Sequence, residues 1–172
     1  MKRHFLLVAM IPLMGFAVAP AAKANTVSST FKVTMTITKA CAVTAGTGSD
    51  IALGSHAASD TNIAGNNTIS VNCSKTTPYY IGLAPSNANT GGAGTMAGAT
   101  GGNTDAVPYQ LRSVSGPTGT IWGNTATASA VGNGVGGTGT GANVSHTVYV
   151  TVPGANYTPD SYSDTVTVNV NF

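Results

Sequence analysis

The sequence predicts an all-β protein, a β-sandwich built from about eight short strands. Apolar and polar residues alternate with a period of two in several segments of the 172 residues, as in strands with one buried face. No segment keeps an apolar period of 3.6, and Glu, a good helix former, is absent. The 22 glycines supply turns between the alternating segments, which suits a single domain of short strands.

Charge is scarce along the whole chain. Charged residues make up 7% of it, against about 25% in an ordinary soluble domain. The formal net charge of +2 leaves too few cations to neutralise a run of phosphates, so we expect no nucleic-acid partner. The low net charge also excludes disorder driven by charge repulsion, and the glycines lack the three-residue period of collagen.

The first 24 residues have the pattern of a secretory signal peptide. Two cations precede an apolar stretch over 5–19, and small residues stand before the expected cleavage between Ala24 and Asn25. A transmembrane anchor is the alternative, but the stretch is shorter than the roughly 20 apolar residues that span a bilayer, and it contains Pro12. We therefore expect an exported domain over 25–172, with four cations against five aspartates.

The expected domain retains two cysteines, Cys41 and Cys73. An even number of cysteines in an exported chain predicts a disulfide between them. The chain-entropy model gives a bond across a loop of this length about 3.5 to 4 kcal/mol of stabilisation. Neither His56 nor His146 completes a metal-ligand spacing with the cysteines, so we expect no metal site.

The first and last alternating segments give the clearest strand predictions. The first has apolar residues at Phe31, Val33, Met35 and Ile37, and the last has them at Val166, Val168, Val170 and Phe172. Weaker strand predictions cover 51–53, 68–73, 79–84, 107–113, 120–122 and 146–152. Segments 86–105 and 123–143 are mixtures of Gly, Ala, Thr and Asn, and we expect both to be mobile surface loops.

No residue pattern predicts an enzyme. Ser55, His56 and Asp60 are the residue types of a hydrolase triad, but no Gly-x-Ser-x-Gly turn presents the serine, so a polar loop is the prediction. His146 is expected at a strand edge rather than as a base. We accordingly expect no catalytic residue and no cofactor.

The strand expected over 31–37 has two alternative roles. It can complete its own sandwich, or it can leave the domain with residues 25–30 and add to the sheet edge of a neighbouring molecule. Head-to-tail repetition of the second contact does not close, so it makes a fibre. The alternation of residues leaves both roles open.

Four segments together resemble the spore coat protein U domain family, the pilin module of archaic chaperone–usher pili of the Csu type. In chain order they are FKVTMTITKAC, ISVNCS, VPYQLRSVSGPTGTIWGN and HTVYVTVPGANYTPDSYSDTVTVNVNF. The resemblance covers essentially all of 25–172. The sequence departs from the family at Val150 and at 159–161, where the family often has glycines.

The resemblance implies an incomplete immunoglobulin-like β-sandwich that lacks its last strand and is completed by donor-strand complementation. Residues 25–38 would form the donor-strand arm, with anchors at Phe31, Val33, Met35 and Ile37, and with Val27 and Ser29 extending the register. The acceptor groove, which also binds the chaperone, would be lined by Val166, Val168, Val170 and Phe172.

The resemblance further implies a structural pilus subunit that polymerises for surface attachment and biofilm formation. Its partners would be a periplasmic chaperone, an outer-membrane usher and identical or related pilin subunits. It would pass through the periplasm to a pilus on the cell surface. The alternative is a self-contained secreted adhesin or carbohydrate-binding module, in which Trp122 or the pair Tyr79 and Tyr80 would stack on a sugar.

Overall fold

The computed structural model describes residues 21–172. Most of the expected signal peptide over 1–24 therefore lies outside the described residues, and its cleavage stays a prediction. The chain divides into two compact units, Met1–Thr36 and Ile37–Phe172. In the described part, no helix is long and apolar enough to span a bilayer.

The described part of the first unit, residues 21–36, has no helix or strand, and its side chains are exposed. Phe31, Val33 and Met35, together with Ile37 at the start of the second unit, are between 77% and 88% exposed. The expectation of a half-buried strand over 31–37 is therefore wrong for this chain on its own. Alternation makes a segment able to form a strand, but a strand forms only when a second strand pairs with it.

The second unit contains nine strands and one short 3₁₀ turn, Thr47–Ser49. In chain order the strands are β1 (Cys41–Thr44), β2 (Thr61–Cys73), β3 (Pro78–Ala84), β4 (Ala93–Gly98), β5 (Ala106–Arg112), β6 (Val135–Thr138), β7 (Asn143–Gly154), β8 (Tyr162–Ser163) and β9 (Thr167–Asn171). They form two antiparallel sheets, with the orders β1-β2-β7-β5-β4-β8 and β6-β3-β9. This architecture confirms the predicted all-β sandwich.

The inward-facing side chains of both sheets form one apolar core. β3 contributes Tyr79, Ile81 and Leu83, and β2 contributes Val71, all fully buried. Trp122, in the connection between β5 and β6, is also buried, and its indole Nε1–H donates a 2.8 Å hydrogen bond to the carbonyl oxygen of Ile81. Because the indole N–H finds a partner, the largest side chain of the core carries no unsatisfied polar atom.

The predicted disulfide is confirmed, and it fixes the edge strand β1. Cys41 and Cys73 are bonded and are direct partners in the ladder between β1 and β2. β1 pairs with residues 70–73 of β2 alone, and the main-chain N–H of Ser74 adds a 2.9 Å hydrogen bond to the carbonyl oxygen of Ala40. The disulfide therefore links the two strands at one end of a ladder of four residue pairs.

The two glycine-rich segments expected to be mobile loops each contain a strand, so those predictions are wrong. β4 lies within the first segment and β6 within the second. A Cβ added to Gly94 of β4 would overlap the ring of Tyr109, and one added to Gly137 of β6 would overlap the ring of Tyr79. These small residues leave room for aromatic rings of the neighbouring strands, which is a packing role rather than a mark of mobile chain.

Two of the weaker strand predictions are also wrong. Residues 51–53 form no strand; Ile51 and Leu53 instead lie over Gly65 of β2, whose missing side chain leaves room for them. Residues 120–122 contribute only an isolated bridge between Ile121 and Arg112. In segments 51–53 and 120–122 the apolar residues therefore pack in the core or at its rim without forming a strand of either sheet.

Candidate functional site: an open edge between β1 and β9

β9 is an edge strand of the three-stranded sheet and pairs with β3 on one side only. Val168 and Val170 are the direct partners of Leu83 and Ile81, so all four side chains project from the same face, toward the core. Leu83 and Ile81 are fully buried, whereas Val168 and Val170 are only half-buried. The inner face of this sheet is therefore covered at β3 and partly uncovered at β9.

β1 is an edge strand of the six-stranded sheet, and the inner face of that sheet is also partly uncovered at β1. Val43 is the direct partner of Val71 and so lies on the same face. Val71 is fully buried, but Val43 is 40% exposed. Cα atoms of β1 and β9 approach within 8 Å, so the uncovered parts of the two sheets lie on the same side of the sandwich.

We call this region the open edge and define it by Val43 of β1, by Val166, Val168 and Val170, which pack against the core, and by Phe172, which follows β9. Phe172 is 47% exposed, and Val166 is half-buried. Within the described residues no ladder joins β1 to β9, so the main-chain groups on the free side of β9 can pair with a further strand. The open edge can therefore offer that strand both main-chain hydrogen bonds and an apolar surface.

The polar face of β9 is held against β3. The amide Nδ2 of Asn169 donates a 3.1 Å hydrogen bond to Oδ1 of Asn124, and that of Asn171 donates a 3.3 Å bond to the carbonyl oxygen of Tyr80. Asn124 occupies the space that a side chain at Gly82 would fill. These contacts stabilise β9 in the sheet although its other side is unpaired.

A partly buried carboxylate, that of Asp164, positions the chain as it enters β9. The hydroxyl of Tyr109 donates a 2.7 Å hydrogen bond to Oδ2 of Asp164. Burial, the hydrogen bond and the charge of Asp164 raise the pKa of Tyr109, so the hydroxyl remains a donor. Burial opposes ionisation of Asp164, but hydrogen bonds from Ser86, Tyr109 and the main chain of Thr165 outweigh it and lower the pKa of this carboxyl.

A second polar contact crosses the core between the sheets. The hydroxyl of Tyr79 lies 2.9 Å from Nε2 of His146, and the two rings are perpendicular, with centroids 5.8 Å apart. Burial lowers the pKa of His146, which favours the neutral imidazole as the acceptor of this hydrogen bond. His146 thus packs against a core residue instead of acting only as a residue of the strand edge.

The residues that resemble a hydrolase triad are occupied in a loop contact. Nδ1 of His56 lies 3.1 Å from Oδ2 of Asp60, and Nε2 lies 2.9 Å from the carbonyl oxygen of Leu53. Asp60 also accepts a hydrogen bond from the main-chain N–H of Ala57. Both ring nitrogens are therefore engaged by partners other than Ser55, which is the arrangement of a structural loop.

The remaining predicted site residues are either exposed outside the strands or buried in the core. Ala24 and Asn25 are exposed and lie outside any helix or strand, and the cleavage between them stays a prediction. The part of Phe31, Val33, Met35 and Ile37 as donor-strand anchors also stays a prediction. Trp122 and Tyr79 are buried in the core, so neither ring is available to stack on a sugar.

Sequence reasoning missed β1 as one wall of the open edge. Four residues are too few to display a period of two. A usable signal was nevertheless present, because Val43 stands two positions after Cys41 and must share the face on which Cys41 bonds Cys73. Asn124, which holds Asn169, carried no such signal, since its place over Gly82 depends on the fold.

The comparisons with known proteins agree with this architecture. The family model described as Spore Coat Protein U domain matches residues 27–169. One similar solved structure is the CsuC–CsuE chaperone–tip adhesion subunit pre-assembly complex from archaic chaperone–usher Csu pili of Acinetobacter baumannii, with 19% sequence identity and a TM-score of 0.52. The match covers 80% of this chain and 40% of that chain, and at this identity it establishes a shared fold. No curated protein matches the sequence.

Proposed function

The chain belongs to the Spore Coat Protein U domain family, and from this premise we propose that it is a structural subunit of a chaperone–usher pilus. The open edge is the observation that carries the proposal. An inserted strand would pair with β9 and cover apolar side chains from both sheets, which is how a strand-addition site gains affinity and register. On this proposal a single subunit forms a sandwich that lacks one strand, and a second molecule supplies that strand.

The strand that fills the open edge in the polymer is the arm over 25–38 of the next subunit. Phe31, Val33, Met35 and Ile37 alternate with polar residues and are all exposed, so they are free to enter another molecule. Burying the four would contribute about 1.5 to 3 kcal/mol each, before the cost of ordering the arm. Val27 and Ser29 extend the same register.

Before assembly, the open edge is covered by a periplasmic chaperone, which bonds to β9 and packs on Val166, Val168, Val170 and Phe172. The similar solved structure is itself described as a chaperone–subunit pre-assembly complex. An outer-membrane usher then exchanges the chaperone for the arm of the next subunit. The signal peptide over 1–24 directs export, and the polymer on the cell surface serves attachment and biofilm formation; the subunit is a structural protein and not an enzyme.

A paired set of arm variants tests this proposal. Replacing Val33 and Met35 by Asp places two charges on the face that the acceptor must bury, and we expect fibres on the producing cells to disappear from electron micrographs. The matched control replaces Thr34 and Thr36 by Asp, which adds the same charges on the opposite face of the arm. Fibres should persist in the control, since that face remains in solvent.

Deleting residues 25–36 should also abolish fibres while leaving a subunit that still co-purifies with its chaperone. Normal fibres from the Val33 and Met35 variant, or from the deletion, would contradict the proposal. A stable monomer obtained without any chaperone would instead favour the self-contained secreted adhesin or carbohydrate-binding module.

A further inference from the structure

A surface depression of about 270 Å³ lies on the outer face of the six-stranded sheet, whereas the open edge lies on the inner side of the sandwich. Its floor contains Ala64 of β2 and Thr151 of β7, which are direct partners in the ladder. β5 adds Gln110 and Arg112, which project outward because Leu111 between them is buried in the core. The depression is therefore built on three adjacent strands of a rigid sheet.

Hydrogen bonds hold the side chain of Arg112 in place. Its Nε donates a 3.1 Å hydrogen bond to Oγ1 of Thr151, and its Nη1 donates to the carbonyl oxygen of Gly119. Within residues 21–172 no carboxylate lies at ion-pair distance from Arg112, so no neighbour neutralises its charge. A guanidinium has five N–H donors, and the two hydrogen bonds leave three for a ligand.

The other lining groups complement a polyhydroxylated molecule. The amide Nε2 of Gln110 donates to the carbonyl oxygens of Gly91 and Leu111, which leaves its Oε1 as an acceptor. The prolines of the lining, Pro108, Pro117 and Pro153, present apolar rings without donors. A sugar ring has this combination of features, because its hydroxyls need acceptors and donors while its C–H face needs an apolar surface.

We propose that the depression binds a saccharide that carries a carboxylate, with a uronic acid unit as the bound residue. Its carboxylate pairs with Arg112, since a guanidinium forms charge-assisted, bidentate hydrogen bonds with carboxylates. Its hydroxyls bond to Gln110 and Asn62, and its C–H face contacts the proline rings. The volume lies near the lower limit of small-molecule sites, about 300 Å³, which restricts the bound part to one sugar ring.

The test is a titration of the exported subunit, purified together with its chaperone where the two co-purify, with galacturonic acid, and in parallel with galactose and with acetate. We expect galacturonic acid to bind by isothermal calorimetry, with galactose and acetate each weaker by about tenfold or more. Arg112→Gln should weaken galacturonic acid by about tenfold or more, while Lys75→Gln, which removes the same charge outside the depression, should change it less than about twofold.

A second variant protects the test against misfolding of the Arg112 variant. Asn62 lines the depression with φ 55°, a conformation that Asp also tolerates, so Asn62→Asp adds a repelling charge with little change of shape. It should weaken galacturonic acid more than it weakens galactose, which carries no charge. Absence of galacturonic acid binding, equal binding of acetate, or unchanged affinity in Asn62→Asp overturns the proposal, and none of these outcomes depends on polymerisation.

Discussion

Removing the disulfide tests how much of the domain depends on the wall that β1 forms at the open edge. Replacing Cys41 and Cys73 together by Ala removes the bond without placing a hydroxyl at the buried position of Cys73. The bond spans a sequence separation of 32, for which the chain-entropy model gives about 3.7 kcal/mol. Domains have a net stability of about 5 to 15 kcal/mol, so the variant should lose a large part of it.

The loss should be greatest at β1. This strand has four residues and pairs with β2 alone, so without the bond only a short ladder retains it. β5, in contrast, is paired on both sides. Amide hydrogen exchange in β1 should therefore accelerate far more than exchange in β5.

Guanidinium unfolding followed by the fluorescence of Trp122, the single and buried tryptophan, measures the loss directly. With a slope of about 3 to 4 kcal/mol/M, the midpoint should fall by about 1 M. The unsubstituted chain in reductant is the control, since it loses the bond and keeps both side chains. A midpoint shift below about 0.2 M in the variant and in the reduced chain would refute the reasoning.

Two further predictions concern a glycine and a histidine. Gly92→Ala should destabilise the domain by about 1 to 3 kcal/mol more than Gly102→Ala in thermal unfolding, because both glycines have positive φ but only at Gly92 would a Cβ overlap the carbonyl oxygen of Trp122. Burial lowers the pKa of His146 below the unfolded value of about 6.5, so the unfolded chain binds a proton first and stability should fall as the pH drops below about 6.5. His146→Gln should lose this dependence between pH 7.5 and 5.5, and an equal slope in both chains would show that another group titrates there.

The architecture was predictable where strands are long and alternate clearly. Four predicted strands appear in the structure close to their predicted bounds, because each places a row of apolar side chains into the core. They are the strands over 79–84, 107–113 and 146–152 and the last strand. β4 and β6 were not predictable in this way, since Gly94 and Gly137 lie opposite Tyr109 and Tyr79 of their paired strands, and the pairing is known only from the fold. A glycine that accommodates a neighbour's ring cannot be told from a loop glycine until that neighbour is known.

The site was predictable in part, and for a related reason. The alternation at Val166, Val168, Val170 and Phe172 indicates an inward-facing row, and in the structure the three valines of this row pack against the core while Phe172 is exposed. The partial exposure of the row depends on the sheet order, which leaves β9 at an edge. The segment over 31–37 shows the limit most clearly, because its pattern describes the surface it can bury and carries no information on which molecule buries it.

The scarcity of charge bears on how the sheet edges are protected. Soluble sandwiches usually prevent edge-to-edge association with short edge strands, prolines, bulges or charged side chains, lysines above all. β8 has two residues, and β1 and β6 have four each, so three of the four edge strands are short. β9 has the sequence TVNVN, with no charge and no proline, and its inward-facing valines are only half-buried. A strand of this kind is protected from edge-to-edge association only when another strand pairs with its free side. The free side that would let a lone molecule aggregate therefore also suits β9 to the proposed exchange of strands between subunits.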